Sequence, residues 1–348
     1  MRILFAGDRP GYPQRMTGAA VSTHLLADLL GRNGASAHIL CGLPADAAAE
    51  AESDNRLSYT IDRAADPVAA VPETVTVFSP DVAVLTSGAT FALARALVEH
   101  RVPLVVYQRD LGFSLLQDLT AEMVAAPIGV FACSRFVAHS LTRNTGLDAV
   151  FLPNVFPREI YETPATGGMV TLINPVPAKG VELVLDLAAR HRDLPFLFVE
   201  GWALPPKQRS VLQGRAARTG NIRWHPRVAD MRQVYARTRL LLVPSRWKEA
   251  WGRVVTEAQI SGIPVLASDH GGLPESVGAG GYLLPVDDLD AWSDHLVRIM
   301  TNDSAWAALS AQASAHARRE ELEPNRIVAQ FICQIRDWLQ QVKDGRAG

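Results

Sequence analysis

Short apolar runs of strand length alternate with segments of helical periodicity along nearly the whole chain, and the alternation starts twice. The first start is Arg2–Ala6, an apolar run closed by Gly7-Asp8. Helical spacing follows over Ala20–Leu30, with Val21, Leu25 and Leu29 on one stripe, and then a second apolar run, Ala37–Cys41. A strand, a helix and another apolar strand make the unit of a parallel α/β sheet. The spacing predicts further strands at Asp81–Leu85, Leu104–Tyr107, Val130–Ala132 and Val150–Leu152, with helices at Ala89–His100 and Arg135–Thr142. A soft stretch, 157–168, carries Pro157, Pro164, Gly167 and Gly168 and reads as a linker. The pattern then restarts. Strands are expected at Met169–Ile173, Phe196–Val199, Leu240–Pro244 and Pro264–Ala267. Helices are expected at Gly180–Arg190, Val211–Thr219, Met231–Ala236 and Arg253–Ser261, and three more close the chain at Asp290–Met300, Ser304–Ala317 and Asn325–Val342. The only biased tract is the Ala/Glu-rich stretch 45–52.

Two tandem α/β units suit a length of 348 residues. At 48% hydrophobic and 20% charged, the chain has the apolar content to fill real cores, which disordered chains lack. The net charge is −2, so no global basic field invites nucleic acid. Its distribution is uneven: residues 1–164 hold 12 Arg and no Lys against 17 acidic residues (12 − 17 = −5), and the remainder holds 22 basic against 19 acidic (22 − 19 = +3). A basic second half suits an anionic ligand, and an acidic first half argues against docking on an anionic membrane. Cys41, Cys133 and Cys333 are odd in number and far apart, which excludes a disulfide framework or metal cluster and predicts buried free thiols. No apolar run is long enough to span a membrane, and MRILFAGD lacks the core of a signal peptide, so a cytoplasmic location is expected.

In parallel α/β sheets ligands bind off the carboxyl ends of the strands, and with two such domains the cleft between them is the first place to look. The most informative segment is 243–274, VPSRWKEAWGRVVTEAQISGIPVLASDHGGLP. A strand ends at Pro244-Ser245, a loop holds Arg246, Trp247, Lys248 and Glu249, Gly252 permits close backbone approach, and a helix starts near Arg253. The first turn of a helix offers free N–H groups and the positive end of its dipole to an anion. Glu249 and Glu257 flank that turn; a wholly helical path of eight residues would separate them by about 12 Å. That is the scale of a nucleoside diphosphate sugar from sugar ring to ribose. One carboxylate would meet the sugar and the other the ribose, with the diphosphate between. The bland alternative is a solvated helix face.

The stretch EAWGRVVTE, with SGIPVLAS and GGLPE after it, resembles the Glu-x7-Glu motif of retaining glycosyltransferases of family 4 and the sequence that follows it. The resemblance implies a GT-B fold: two Rossmann-like parallel α/β domains facing across a cleft, with the C-terminal helix crossing back to the first domain. It implies an acceptor domain at 1–164, joined by the helix at about 325–348, and a nucleotide-sugar donor domain at 165–324. By resemblance Glu249 sits beside the transferred sugar, Glu257 binds the ribose, and the backbone N–H groups of Trp251, Gly252, Arg253 and Val254 meet the sugar and diphosphate. Lys179-Gly180, in LINPVPAKG, resembles the Lys-Gly whose lysine contacts the donor diphosphate. Many members have Gly-Arg where this chain has Asn174-Pro175, and Arg246 or Arg253 would have to stand in for that arginine. Thr17-Gly18 resembles the glycine-rich first loop of the family, which assigns Gly18 to the donor side; otherwise it is a turn with Thr17 as N-cap. Arg109-Asp110, at the end of a predicted strand, stands where members often have a His-Asp-like pair lining the acceptor side. The two are read either as acceptor-binding residues, with Asp110 orienting a hydroxyl, or as a structural ion pair.

His24, His139, His225 and His270 do not cluster and read as structural or solvated; no metal-ligand spacing appears, and the family generally works without a bound metal. Lys179 and a helix dipole can neutralise a leaving diphosphate instead. The expected activity is thus metal-independent, retaining transfer of a hexosyl-type sugar from a nucleoside diphosphate sugar, UDP by default, to the hydroxyl of a small molecule or glycan. The alternatives are a GT-B-type nucleotide-sugar epimerase, a non-catalytic nucleotide-sugar binder, and a dinucleotide oxidoreductase. GDRPGYPQ in place of Gly-x-Gly-x-x-Gly counts against the last.

Overall fold

A computed structural model describes residues 1–14, 16–43, 57–86, 88–122, 127–202 and 204–344. The Ala/Glu-rich stretch 45–52 and the end of the segment 325–348 lie outside the described residues. The chain divides into two compact units, Met1–Val155 with Glu321–Gly348, and Phe156–Glu320.

The first unit is built on a seven-stranded sheet in the order β3-β2-β1-β4-β5-β6-β7, parallel throughout. Its strands are β1 (Arg2–Ala6), β2 (Ser36–Gly42), β3 (Thr60–Ala64), β4 (Val82–Leu85), β5 (Leu104–Gln108), β6 (Ile128–Ala132) and β7 (Val150–Phe151). The helices are α1 (Gly18–Arg32), α2 (Pro67–Phe78), α3 (Phe91–Glu99), α4 (Ser114–Glu122) and α5 (Arg135–Thr145). Alternation along β1 explains the layering. Leu4 and Ala6 join the core formed with Val71, Leu93, Leu97, Leu116 and Leu141 of α2 to α5. Phe5 points the other way and stacks on Phe331 of the C-terminal helix, with centroids 6.3 Å apart, while Phe131 meets the same ring edge-on at 5.7 Å. That helix carries Ile327, Phe331, Ile335 and Leu339 at helical spacing; it buries the first three together with Val328, leaves Leu339 half-buried, and packs as part of the first unit. Gly129 lets the helix pack closely, since a Cβ there would lie 3.0 Å from Val105 Cγ2 and 3.1 Å from the Trp338 ring.

β3, α2 and α4 escape the periodicity reading. Strand β3 carries Asp62 and Arg63 at a half-exposed sheet edge, and α2 contains Pro72 and a run of β-branched residues that argue against helix. Capping decides α2: Asp66 accepts hydrogen bonds from the N–H groups of Val68 (3.0 Å) and Ala69 (3.1 Å), and Pro67 fills the first turn. Cys41 and Cys133 are buried as expected, but Cys333 is exposed. It lies on the face of the C-terminal helix away from the Phe331 stripe and reaches Asp337 at 3.5 Å.

His24 is structural. Its ring stacks on Tyr12 at 4.0 Å and its Nδ1 meets the Tyr59 hydroxyl at 2.9 Å. Burial pushes its pKa down from 6.5 to about 4, a shift that nearby Asp28 only partly opposes. The unfolded chain therefore takes up this proton before the folded one. The stability that this neutral ring contributes is complete above pH 6.5 and is lost as pH falls toward 4. The loss should approach about 3 kcal/mol at about 1.36 kcal/mol per pKa unit. Urea unfolding of the wild type at pH 7 and pH 4.5, beside His24→Gln, checks this: the variant should show a shallower acid loss, and equal losses would remove the assignment.

The second unit repeats the plan with a six-stranded parallel sheet in the order β10-β9-β8-β11-β12-β13. The strands are β8 (Met169–Ile173), β9 (Phe196–Val199), β10 (Ile222–His225), β11 (Thr238–Val243), β12 (Val265–Ser268) and β13 (Gly281–Leu284). The helices are α6 (Val181–Arg190), α7 (Pro206–Thr219), α8 (Arg232–Tyr235), α9 (Arg253–Ile260), α10 (Leu273–Val277), α11 (Leu289–Thr301) and α12 (Asp303–Ala317), and the C-terminal helix of the first unit becomes α13 (Pro324–Lys343). Val170, Leu172, Phe196, Phe198, Leu240 and Leu266 face a core filled by Val184 and Leu187 of α6 and by Trp292 and Leu296 of α11. The stretch expected to be a linker begins inside this unit. Phe156 lies 4.5 Å beneath the Arg253 guanidinium, and the Ser261 hydroxyl both donates to Tyr161 O (3.0 Å) and accepts from Thr163 N (3.0 Å).

Candidate functional site

Strand order reverses between β8 and β11 in the second unit, so the loops leaving those two strands part to opposite faces and leave a crevice at their carboxyl ends. The loop after β8 supplies Lys179 and the loop after β11 supplies Glu249. Two contacts fix them to each other. The N–H of Arg246 donates to Ala178 O at 2.9 Å. Gly180, at φ +77°, lies so close to Pro244 that a Cβ there would fall 2.0 Å from its carbonyl oxygen. The Lys179 ammonium donates to Glu249 Oε1, and the fully buried Ser245 hydroxyl donates to the same oxygen at 2.7 Å. A lysine, a serine and a carboxylate thus form one charged group with side chains only 16% (Lys179) and 12% (Glu249) exposed. Ser245 carried no distinguishing signal in sequence beyond its place at the end of a strand.

A third loop, after β12, sets the Glu249 backbone. The Gly272 N–H donates to Glu249 O at 2.7 Å, and a Cβ on Gly272 would fall 2.2 Å from Ala250 O. Gly271 is at φ +68° and a Cβ there would lie 2.7 Å from Glu249 O. These contacts explain why two glycines follow the carboxylate motif at this distance. Gly252, at φ +83°, then turns the chain into α9, which no side chain caps at its N-terminus. Its first turn therefore presents backbone N–H groups and positive dipole on the Glu249 side of the helix. Trp251 is buried and holds the turn through its indole N–H, which donates to Thr256 Oγ1 at 3.0 Å.

Glu257 lies on the same helix but is 6% exposed, and both its oxygens are occupied. Tyr235 donates its hydroxyl to Oε2 at 2.8 Å and Arg253 donates its Nε to Oε1 at 3.1 Å. Arg253 also donates to the Tyr161 hydroxyl at 2.8 Å. Burial and the neighbouring Glu257 carboxylate push the Tyr161 and Tyr235 phenols well above their ordinary range, so both stay protonated donors or acceptors. The Arg253 side chain is turned into this buried network. Of the two arginines expected to replace the missing Gly-Arg, only Arg246 stays at the surface, where it pairs with Asp287 at 2.9 Å. Asn174 itself has φ +63°, a conformation that asparagine tolerates in place of glycine, and its side chain accepts from Trp202 N at 3.0 Å. The structure adds Trp202 to the site. It follows β9, and its ring lies 5.1 Å from that of Trp247. Val254 is half-buried in the first turn of α9.

Gly18, Arg109 and Asp110 belong to the first unit. Gly18 opens α1 and is exposed, with Thr17 capping the helix through Ala20 N at 3.4 Å. Arg109 and Asp110 leave the carboxyl end of β5 and part company. Arg109 is 8% exposed, lies 3.8 Å over the Tyr107 ring and donates to Thr23 Oγ1 of α1 at 2.9 Å. Asp110 Oδ1 accepts from Gln108 Nε2 (2.7 Å) and from Gly112 N (3.0 Å), an Asx-type turn that leaves the carboxylate exposed. Among the described residues no group of three or more His, Cys, Asp or Glu side chains is placed to hold a metal. No described helix is long and apolar enough to cross a membrane. A cavity of about 520 Å³ beside Met169, Leu197, Arg223 and Arg237 contains none of the residues predicted to act.

Residues 167–302 match the family model of the glycosyl transferases group 1. The match falls inside the second unit. Lys179, Ser245, Glu249 and Glu257, and with them the converging loops, all lie within the matched stretch. Curated relatives include a D-inositol 3-phosphate glycosyltransferase of Saccharomonospora viridis, 39% identical over 92 residues, covering 26% of this chain and 21% of that protein. Another is the O-antigen chain mannosyltransferase B of Escherichia coli, 34% identical over 107 residues, covering 30% of this chain and 28% of that protein. The chain therefore spans only 21–28% of the length of these relatives. Fold likeness runs much further. Anabaena HepE, solved with UDP and glucose, has a TM-score of 0.78 at 21% identity and covers 97% of this chain and 100% of its own. Sucrose-phosphate synthase of Thermosynechococcus elongatus has a TM-score of 0.77 at 17% identity, with 97% and 98% covered. The architecture, two α/β units with parallel sheets, is GT-B, as the motif resemblance implied.

Proposed function

We propose that the protein is a retaining glycosyltransferase of family 4 that transfers a sugar from a nucleoside diphosphate sugar to an acceptor hydroxyl without a metal ion. The observation that carries this reading is the meeting of Lys179 and Glu249 at the switch point of the second sheet, beside the uncapped N-terminus of α9. A diphosphate needs fixed positive charge, and that place supplies an ammonium and a row of backbone dipoles in a partly desolvated setting. A sugar ring needs a hydrogen-bond acceptor and a negative charge near its anomeric carbon, and Glu249 supplies both.

The chemical step follows. The bond between the anomeric carbon and the leaving diphosphate oxygen breaks, and the acceptor oxygen bonds to the same carbon on the same face. The acceptor proton passes to the departing phosphate oxygen. Lys179 and the α9 N–H groups hold the charge that grows on the diphosphate, and Glu249 steadies the positive charge at the anomeric centre without becoming covalently attached. Donation from Lys179 and Ser245 keeps the Glu249 carboxylate oriented before substrate arrives. In the first unit, Asp110 is exposed at the end of β5 and is the residue offered to an acceptor hydroxyl, with buried Arg109 supporting the loop. The acceptor class is a small molecule or a glycan.

HepE was solved with UDP and with UDP-glucose, which makes UDP the first nucleotide to try. Calorimetric titration with UDP, GDP, ADP and NAD in chelator-treated buffer tests the reading. One nucleoside diphosphate should bind selectively, and its sugar ester should then give a product of unchanged anomeric configuration. Binding of NAD, or of no diphosphate, would sink it.

A further inference from the structure

Two exposed indoles stand over Lys179. Trp202 leaves the carboxyl end of β9 and Trp247 that of β11, the two strands on either side of β8. They are 37% and 46% exposed, whereas Trp251 and Trp292 of the same unit are 2% and 0% exposed. The Lys179 ammonium lies 5.1 Å from the centre of the Trp202 ring and 4.7 Å from that of Trp247. The backbones carrying the rings are fixed. Trp202 N donates to Asn174 Oδ1 at 3.0 Å, and Arg246 N, next to Trp247, donates to Ala178 O at 2.9 Å. Two large apolar faces are therefore held in water beside the charged group, although burying such a side chain would stabilise the fold by about 1.5–3 kcal/mol.

The shape of the pair selects its ligand. The centroids are 5.1 Å apart and the planes are tilted by 58°. That is already the contact distance of an aromatic pair, about 4.5–7 Å, so no flat nucleobase fits between the rings. A pyranose suits the outer facets better. Its axial C–H groups form an apolar face that lies on an indole, while its equatorial hydroxyls project from the edge toward hydrogen-bonding groups. Glu249, whose Oε1 takes the ammonium that sits under both rings, is such a group.

We infer that Trp202 and Trp247 form a stacking platform for the pyranose ring of the donor, so that they set which sugar is transferred while Lys179 beneath them holds the diphosphate. This rests on the donor-site reading above, and the experiment separates the two. Calorimetry is run on wild type, Trp202→Ala, Trp247→Ala and Trp247→Phe, with UDP against UDP-glucose and with GDP against GDP-mannose as the second pair. Thermal melting confirms that each variant is folded. For the nucleotide that the wild type binds, each Ala variant should weaken the sugar ester about 3- to 10-fold and leave the bare diphosphate within about twofold, and Trp247→Phe should recover part of the loss. An equal loss for both members of the pair would place the rings on the nucleotide instead and overturn the platform, as would unchanged affinity for both. Failure of the wild type to bind any of the four ligands, and ADP as well, would remove the donor reading and this inference with it.

Discussion

Glu249→Gln should lower the rate of sugar transfer by about three orders of magnitude while changing UDP affinity only a few-fold. A negative charge about 4 Å from a developing positive centre, at an effective dielectric near 20, stabilises it by about 4 kcal/mol. Each 1.36 kcal/mol of barrier is worth about tenfold in rate. Glutamine keeps an acceptor oxygen for the Ser245 hydroxyl and loses the charge, so the loss falls on kcat more than on donor binding. Lys179→Ala should behave differently. It removes the ammonium from the diphosphate in the ground state and, to a greater extent, from the charge that grows on it in the transition state, so both KM for the donor and kcat should suffer. The double variant should lose less than the product of the two single losses, because the side chains are in direct contact. Steady-state kinetics with donor concentration varied, together with calorimetric UDP binding, reads all three. Transfer by Glu249→Gln within threefold of wild type would remove the electrostatic role.

How far these residues were legible in advance depended on what kind of signal each one carries. Glu249, Lys179 and Gly252 sit in loops whose place is fixed by strand endings, and a strand ending is marked in sequence by an apolar run that stops at Pro or Gly. The β8–α6 and β11–α9 junctions were therefore found, and the fold class followed from the same alternation. The Gly271-Gly272 pair was visible as text, but its purpose is to let one loop lie on the backbone of another, a contact between residues more than twenty positions apart that no local pattern encodes. Trp202 was missed for a similar reason. It is a single aromatic after a strand, and only the strand order places it next to Trp247. The strand ending places Arg109 after β5, but the turn of its side chain over Tyr107 and onto Thr23 is a tertiary choice that no local pattern marks, because a guanidinium can pack on an aromatic face as readily as it can meet an anion. Edge strand β3 and the proline-containing helix α2 were lost because burial on one side only, and capping by one aspartate, leave little periodicity to read.

Glu257→Ala should destabilise the second unit by about 3–5 kcal/mol, the usual cost of removing one member of a buried ion pair. The change removes the carboxylate that accepts from Arg253, whose side chain is 10% exposed, and from the fully buried Tyr235 hydroxyl. Tyr161 keeps one hydrogen bond to Arg253, but a neutral phenol cannot balance a guanidinium charge. This stability effect complicates the ribose assignment, since a poorly folded second unit would lose ligand affinity whatever its carboxylate touches. Each carboxylate oxygen has two acceptor sites, and the internal network uses one on each, so ribose hydroxyls and the network can be served together. Glu257→Gln distinguishes the two roles: it retains an oxygen acceptor for Tyr235, gives up the charge that Arg253 needs, and changes one of the two atoms open to a ribose. Tyr235→Phe supplies the complementary control, removing a network hydrogen bond while leaving the carboxylate in place. Six of the chain's seven tryptophans, all but Trp338, lie in the second unit, so urea unfolding followed by tryptophan fluorescence reports mainly on it. If Glu257→Ala unfolds at the wild-type urea concentration, the network is not what holds α9 to the residues around Tyr161. If Tyr235→Phe loses stability and keeps wild-type UDP affinity, while Glu257→Gln loses affinity out of proportion to its stability, the carboxylate itself reaches the nucleotide.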